Sequence, residues 1–315
     1  MATTLSRAQD GDRNSRFVPG QTAAIQSLNA LVGEIADTNV PVLVVGESGT
    51  GKEVYARLIH RLSQKFQKPF TKLSCRAMEA REFLEKLKLY LKVEDEDAAN
   101  ETGTLFLDGI DELELACQKA LLSMLPDGEQ QRKGHDQVRL ITSASRNLET
   151  EVEVGRFRRE LFFRINGMCL RLPPLRERKG DIPLMLEHFF AEHAAEMNRE
   201  VPTLSKEELE SAGAHNWPGN VRELENFARK ISLFGHPHEA IKDLHATSKL
   251  VSIFPDGPPR FSLKVAARAA SRQAERELIR EALDRTHWNR KRAAQQLNIS
   301  YKSLLYKIKQ TGLEG

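Results

Sequence analysis

Val40-Pro-Val-Leu-Val-Val-Gly-Glu-Ser-Gly-Thr-Gly-Lys-Glu53 is the stretch on which the fold of this 315-residue chain turns. Its first six residues are apolar, four of them valine, as a buried strand requires. Gly46 to Lys52 has the spacing G-x-x-x-x-G-K, and Val54, Leu58, Ile59 and Leu62 then recur at helical spacing. Strand, glycine-rich turn and helix in that order make a phosphate cradle rather than an ordinary tight turn. The glycines let successive backbone N–H groups face the phosphates, the helix N-terminus adds its positive dipole end, and Lys52 reaches the β- and γ-phosphates. Gly46, Glu47, Ser48, Gly49, Thr50, Gly51, Lys52 and Glu53 are therefore candidate nucleotide-binding residues, with ATP as the expected ligand.

Working outward, Gly103-Thr-Leu-Phe-Leu107 and Val138-Arg-Leu-Ile141 read as further buried strands between helical patterns. Such alternation predicts a parallel sheet covered on both faces, an α/β unit over residues 17–181. Asp108 closes the second strand, where a carboxylate beside the phosphate loop would hold Mg2+ through ATP; a loop-capping aspartate is the plainer alternative. Residues 182–245 read as purely helical, with breaks at Pro202 and Pro218. Residues 1–16 read as a flexible tail, and residues 246–262, with Pro255, Gly257, Pro258 and Pro259, as a linker.

Charge is distributed unevenly. The whole chain has 47 Lys+Arg and 44 Asp+Glu, but from Phe261 onward there are twelve basic and five acidic residues. A basic module behind a mildly acidic body suggests that one part touches nucleic acid. Within residues 263–315, helical patterns at Ala274–Arg285, Arg290–Leu297 and Tyr301–Gln310 bury, respectively, Leu278, Ile279, Ala282 and Leu283; Ala293, Ala294 and Leu297; and Leu304, Leu305 and Ile308. Asn298 is placed to end the second helix and Ser300 to cap the third. The last two have helix-turn-helix spacing, against the alternative of a small bundle with a solvated basic face. Tyr301, Lys302, Ser303 and Tyr306 are candidates for base contact; Arg290, Lys291, Arg292, Lys307 and Lys309 for phosphates. Such modules dimerise on half-sites about 34 Å apart, so the expected partner is double-stranded DNA with a palindromic operator.

Cys75, Cys117 and Cys169 are scattered and odd in number, which argues against a disulfide framework or zinc cluster and fits a reducing cytoplasm. No apolar run approaches membrane-spanning length, so a membrane partner is not expected and the localisation reads as cytoplasmic.

Four blocks carry a resemblance to a known family. Gly46-Glu-Ser-Gly-Thr-Gly-Lys-Glu53, Gly103-Thr-Leu-Phe-Leu-Asp108, Leu172-Pro-Pro-Leu-Arg-Glu-Arg178 and Asn216-Trp-Pro-Gly-Asn-Val-Arg-Glu-Leu-Glu-Asn226 resemble the signatures of bacterial sigma-54 activators, or enhancer-binding proteins. The C-terminal segment is similar to their Fis-type helix-turn-helix. The resemblance implies an AAA+ P-loop sheet over 17–181, an AAA+ helical lid over 182–245, and a small all-α DNA-binding domain over 263–315. It also implies self-assembly from dimer to hexameric ring, with ATP at subunit interfaces. Arg158 and Arg164 match arginine fingers acting in trans on a neighbour's γ-phosphate, a contribution of several powers of ten in rate. Arg222 matches the lid's sensor arginine, and Glu53 is the residue this family places after the lysine.

The chain departs from that pattern at four places. The interval from Arg76 to Thr102 has no glycine and no GAFTGA loop, the element that touches sigma-54; a leucine-rich helix and the acidic run Glu94 to Asp97, read as a solvated loop, stand there instead. Gly109 occupies the position of the catalytic glutamate, Ser145 that of a sensor asparagine, and Ser74 that of an asparagine coupled to the glutamate. Asp111 and Glu112 lie close in sequence, but their offset points them elsewhere. The expected function is an ATP-binding, sequence-specific transcriptional regulator, its assembly controlled by nucleotide and its hydrolysis weak, which acts on another RNA polymerase holoenzyme or by repression, without remodelling sigma-54. The alternative is a sigma-54-dependent activator with a divergent output loop and a working ATPase.

Overall fold

A computed structural model describes residues 17–76, 80–91, 103–125, 138–242, 244, 279, 282, 286, 289–297, 299, 301, 303 and 304. The chain divides into two compact units, Met1–Ser248 and Lys249–Gly315. The flexible-tail reading of 1–16, the linker reading of 246–262, the acidic run Glu94 to Asp97, and the caps Asn298 and Ser300 lie outside the described residues.

Five parallel strands form the sheet of the first unit: β1 (Val42–Val45), β2 (Phe70–Ser74), β3 (Thr104–Asp108), β4 (Arg139–Ala144) and β5 (Met168–Arg171), in the order β2-β3-β4-β1-β5. β1, β3 and β4 are the three strands legible as apolar runs. β1 starts at Val42 rather than Val40, since Pro41 has no N–H for the ladder and instead accepts from Met168 through its carbonyl at 2.9 Å. β2 and β5 are the two edges. β2 is only partly buried and carries Thr71 and Lys72, so its strand character is weak in the sequence.

Alternation along the central strands divides the apolar residues between two faces. Leu43, Leu105, Leu107 and Leu140 join a core with the helices α3 (Ala80–Leu91), α4 (Leu115–Met124) and α6 (Arg159–Ile165). Val42, Val44, Phe106 and Ile141 join another with α1 (Ala23–Ala36) and α2 (Lys52–Arg61). The short α5 (Leu148–Glu153) follows β4, and Asn147 caps it by accepting from the Glu149 N–H. α3 is the leucine-rich helix anticipated between Arg76 and Thr102; it buries Phe83 and Leu87 and leaves Leu89 exposed. Cys75 and Cys117 are buried and Cys169 is half-buried, all as free thiols.

A separate helical core contains α7 (Ile182–Met197), α8 (Lys206–Ala214) and α9 (Asn220–Phe234) around the fully buried Trp217. α7 stops at Asn198 in the left-handed region and α9 at Gly235 likewise, and a reciprocal Ser205–Glu208 capping box starts α8. The buried Asp181 carboxylate accepts from the Gln21 N–H at 2.6 Å and from the Thr22 N–H and hydroxyl at 2.9 Å, fixing the start of α1 against the start of the lid.

One buried group gives this unit a pH dependence. His60, on α2, lies with Nδ1 2.9 Å from the Thr104 hydroxyl. Burial first, then the charges of Arg139 and Arg57, push the imidazole down to about 4 from its ordinary 6.5. The unfolded chain therefore takes up a proton here before the folded one does, and stability is lost as pH falls from 6.5 toward 4. Urea midpoints are expected to record about 2 kcal/mol less stability from this group at pH 5 than at pH 7. In His60→Gln that portion of the loss should vanish; an equal loss in wild type and variant would exclude His60 as its source.

In the second unit, α10 (Arg290–Gln296) is capped by the Asn289 side chain, which accepts from the Arg292 N–H at 3.2 Å. Ile279, Ala282, Ala293, Ala294 and Leu304 form its core, with Leu297 and Ile299 packed against it. Leu278, Leu283, Leu305 and Ile308 lie outside the described residues.

Candidate functional site

Three strands deliver their C-terminal ends to one edge of the sheet, where open α/β sheets bind ligands. β1 runs into the phosphate loop, whose Gly46 N–H donates to the Ala144 carbonyl at the end of β4. Gly49 and Gly51 are both in the left-handed region, with φ of 81° and 102°, a turn an L side chain resists. Gly51 caps α2, so the first helical residue is Lys52 itself.

The Lys52 ammonium is almost fully enclosed. It donates to the Gly46 carbonyl at 2.6 Å, the Glu47 carbonyl at 3.0 Å and the Ser145 hydroxyl at 2.9 Å. Burial lowers its pKa, against the opposing charges of Asp111 and Asp108. Its ligands are neutral oxygens arranged around the loop, the groups a phosphate anion would replace or supplement.

Asp108 ends β3 with Oδ1 accepting from the Ser143 hydroxyl at 2.7 Å and Oδ2 3.1 Å from the Lys72 ammonium. Burial pushes this carboxyl up, but the Ser143 hydroxyl and Lys72 outweigh it and hold Asp108 below its ordinary value. Glu53 turns away from the loop's interior to Lys72 at 2.5 Å and Arg57 at 2.8 Å. Among the described residues no group of three or more His, Cys, Asp or Glu could hold a metal unaided. Asp108 still fits magnesium, which commonly takes one or two carboxylates and fills its shell with phosphate oxygens and water.

At the position after Asp108 the backbone of Gly109 has φ 80°, and its N–H donates to the Ser143 hydroxyl at 3.0 Å. Of the neighbouring carboxylates, Asp111 is buried and accepts from the Ser145 and Arg146 N–H groups at 3.1 and 3.3 Å, while Glu112 pairs with Arg76 at 3.0 Å. Ser145 thus lies between Lys52 and Asp111.

The lid closes on the loop through residues whose role the sequence left unassigned. Asn220, fully buried at φ 54°, donates to the Ser48 carbonyl at 3.0 Å and to Glu47 at 3.2 Å, and accepts from the Leu175 N–H at 2.8 Å. Arg176 grips the Glu47 carboxylate with two hydrogen bonds of 2.6 and 2.8 Å. That contact holds Glu47 below the usual carboxylate range. The buried Arg178 donates to the Thr50 carbonyl at 2.9 Å, and the Val221 N–H at the start of α9 donates to the Gly49 carbonyl at 2.9 Å. Arg222, the lid arginine singled out in the sequence, reaches the Ser48 hydroxyl at 3.3 Å. The signal for Arg176, Arg178 and Asn220 was their presence inside the quoted blocks; the signal for Lys72 was absent, because a lysine on an edge strand reads as solvated.

Arg158 and Arg164 flank α6 at its N-cap and last turn. The Arg158 N–H donates to Gln118 at 2.8 Å and its guanidinium lies 3.5 Å from the Leu115 carbonyl; Arg164 donates to the Leu125 carbonyl at 3.1 Å. The two therefore sit at opposite ends of α4. In the second unit Arg290, Lys291 and Arg292 are exposed on the first turn of α10, and Tyr301 is exposed while Ser303 is half-buried. Lys302, Tyr306, Lys307 and Lys309 lie outside the described residues.

Comparison with known proteins gives this geometry a family. Residues 18–171 match the model of the Sigma-54 interaction domain, 176–250 that of the AAA+ ATPase lid domain, and 271–310 that of the bacterial regulatory protein, Fis family. Response regulator protein PilR of Pseudomonas aeruginosa is 33% identical over 98% of this chain and 72% of its own length. The chain belongs to the sigma-54 activator family. Other family relatives include the Nif-specific regulatory protein of Azotobacter vinelandii, 33% identical over 93% of this chain, and NtrC of Rhizobium meliloti, 32% identical over 84%. The chain spans only 58% and 57% of those two proteins. NtrX from Brucella abortus, solved in complex with ATP, shares the fold at a TM-score of 0.67 and 24% identity, with 99% of this chain and 73% of NtrX covered. As a member of that family the chain combines an AAA+ nucleotide-binding domain, its helical lid and a Fis-type helix-turn-helix domain. Among the described residues, no helix is long and apolar enough to cross a membrane.

Proposed function

We propose that this sigma-54 activator family member is a DNA-binding transcriptional regulator that uses ATP as an assembly signal and does not remodel sigma-54 polymerase. One observation supports this above the others: the groups that would hold nucleotide are complete, while the position after Asp108 is a left-handed glycine and its carboxylate neighbours are engaged elsewhere. Lys52 and the backbone N–H groups of Gly46 to Lys52 would bind the phosphates, and Arg222 would report them to the lid. Magnesium on Asp108 would neutralise phosphate charge. No side chain at 109 is available to polarise water, and losing such a group costs about two to four powers of ten in rate.

Assembly would bring Arg158 and Arg164 of one subunit to the γ-phosphate of the next. The exposed Leu115 and Phe163 beside them favour a subunit contact on that face. The second unit would grip a palindromic operator as a dimer, with Tyr301, Lys302, Ser303 and Tyr306 toward base edges and Arg290, Lys291, Arg292, Lys307 and Lys309 on phosphates.

Transcription in vitro with purified sigma-54 polymerase tests this reading, with sedimentation measured in parallel. ATP is expected to raise the association state, with turnover slow and no ATP-dependent open complex formed. ATP-dependent open complexes would establish the other reading, an activator with a divergent output loop and a working ATPase.

A further inference from the structure

P-loop proteins draw their metal ligands from two places, the residue following the loop lysine and the aspartate at the end of a neighbouring strand. Here those residues are Glu53 and Asp108, and a single ammonium joins them: Lys72 Nζ is 2.5 Å from Glu53 Oε2 and 3.1 Å from Asp108 Oδ2. The sheet fixes this arrangement, because β2 and β3 run parallel with Lys72 opposite Phe106 and Ser74 opposite Asp108, two residues further along both strands. The lysine is on the edge strand, and its stem extends along the sheet toward the strand ends. Glu53 is further clamped by Arg57 at 2.8 Å, and Asp108 by the Ser143 hydroxyl at 2.7 Å. Both carboxylates are thus charge-compensated before any divalent ion arrives.

We infer that Lys72 is a built-in cation of the nucleotide site, competing with magnesium for Asp108 and Glu53 and making ATP binding only weakly dependent on the metal. The inference rests on the ATP reading of the phosphate loop. A monovalent ammonium supplies one positive charge near the phosphates without coordination geometry. Magnesium must displace it from Asp108 to bind, so the gain from the metal shrinks by what Lys72 already provides. The same ammonium closes Glu53 and Asp108 to a divalent ion in the absence of nucleotide. Lys72 here is a specificity-determining residue for the metal and does not touch the substrate in this arrangement.

Two measurements separate this inference from the reading beneath it. In the first, a fluorescent ATP analogue is titrated with Mg2+ or with EDTA. Wild type is expected to lose less than about three-fold in affinity without the metal, whereas Lys72→Met, similar in length but uncharged, loses about ten-fold or more. Lys72→Arg, which keeps the charge, should stay near wild type. In the second, Mn2+ alone is titrated by electron paramagnetic resonance without nucleotide: wild type should leave the ion free, and Lys72→Met should bind it through the two released carboxylates. Equal metal dependence in wild type and Lys72→Met, or Mn2+ binding by wild type, would overturn the inference. Failure of the analogue to bind wild type under either condition, with Mn2+ still taken up only by Lys72→Met, would overturn the ATP reading and leave Lys72's control of the cation site established. A thermal melt of Lys72→Met matching wild type shows that the folded protein is being compared.

Discussion

Lys52→Ala is expected to weaken ATP binding by about 100-fold or more, a loss of about 2.7 kcal/mol. The ammonium is enclosed by the phosphate loop, and its partners there are the Gly46 and Glu47 carbonyls and the Ser145 hydroxyl. Alanine removes the charge facing the phosphates and takes the donor from the Gly46 carbonyl and the Ser145 hydroxyl, while the Glu47 carbonyl keeps the Thr50 hydroxyl at 2.8 Å, so some intrinsic stability should go as well. The two effects separate in a thermal-shift experiment. ATP at about 100 times its Kd should stabilise wild type by about 2.7 kcal/mol. The variant, from whatever lower starting point, should gain almost nothing at the same concentration. An undiminished ATP shift in Lys52→Ala would refute the assignment of this loop as the nucleotide site.

Gly49→Ala should have the larger effect on the fold. A methyl group at Gly49 would lie 2.2 Å from the Gly219 carbonyl oxygen and 3.3 Å from the Arg222 Cβ, and the residue's φ of 81° is already unfavourable to it. The obstructing atom is backbone at the start of α9, so relief requires the lid to lift from the loop. That would break the Val221 and Asn220 hydrogen bonds to Gly49 and Ser48 together. The expected loss is about 3–5 kcal/mol, backbone strain plus overpacking. Gly51→Ala is the control: its φ is 102°, but nothing lies within 4 Å of the added carbon. It should cost only the strain, about 1–2 kcal/mol. Amide exchange at 220–224 should accelerate in Gly49→Ala alone. Equal losses at the two glycines would mean that the lid contact contributes nothing.

These two glycines show how far a motif can be read. The spacing requires Gly51, while Gly49 falls at one of its variable positions, so the sequence gives Gly49 the lesser weight. Only the folded chain shows that Gly49 is the more constrained of the two, because the lid that crowds it reaches the loop from a segment 172 residues away, Ser48 to Asn220, a separation over which no periodicity carries information. The same applies to Glu47. As part of the motif it read as a nucleotide-binding residue; the fold turns its carboxylate onto Arg176 and Asn220, where it ties the loop to the lid. Lys72 gave no signal at all, since its importance lies in the register of β2 on β3 and in the reach of one side chain.

What the sequence determined by itself was whatever depends on neighbours along the chain. The central strands, the phosphate loop and the helix behind it, the breaks in the lid at Pro202 and Pro218, and the small-residue core of the basic C-terminal module all follow from local spacing, because burial repeats every two residues in a strand and every three to four in a helix. Tertiary structure alone decided the edges of the sheet, where one-sided burial weakens the apolar pattern, and the partners of the charged groups. Coulomb attraction and hydrogen bonding act at a few ångströms in space regardless of distance in sequence. Hence Glu53 and Asp108 were visible as acids in the right places, but that a lysine already stands between them was settled only by the folded sheet.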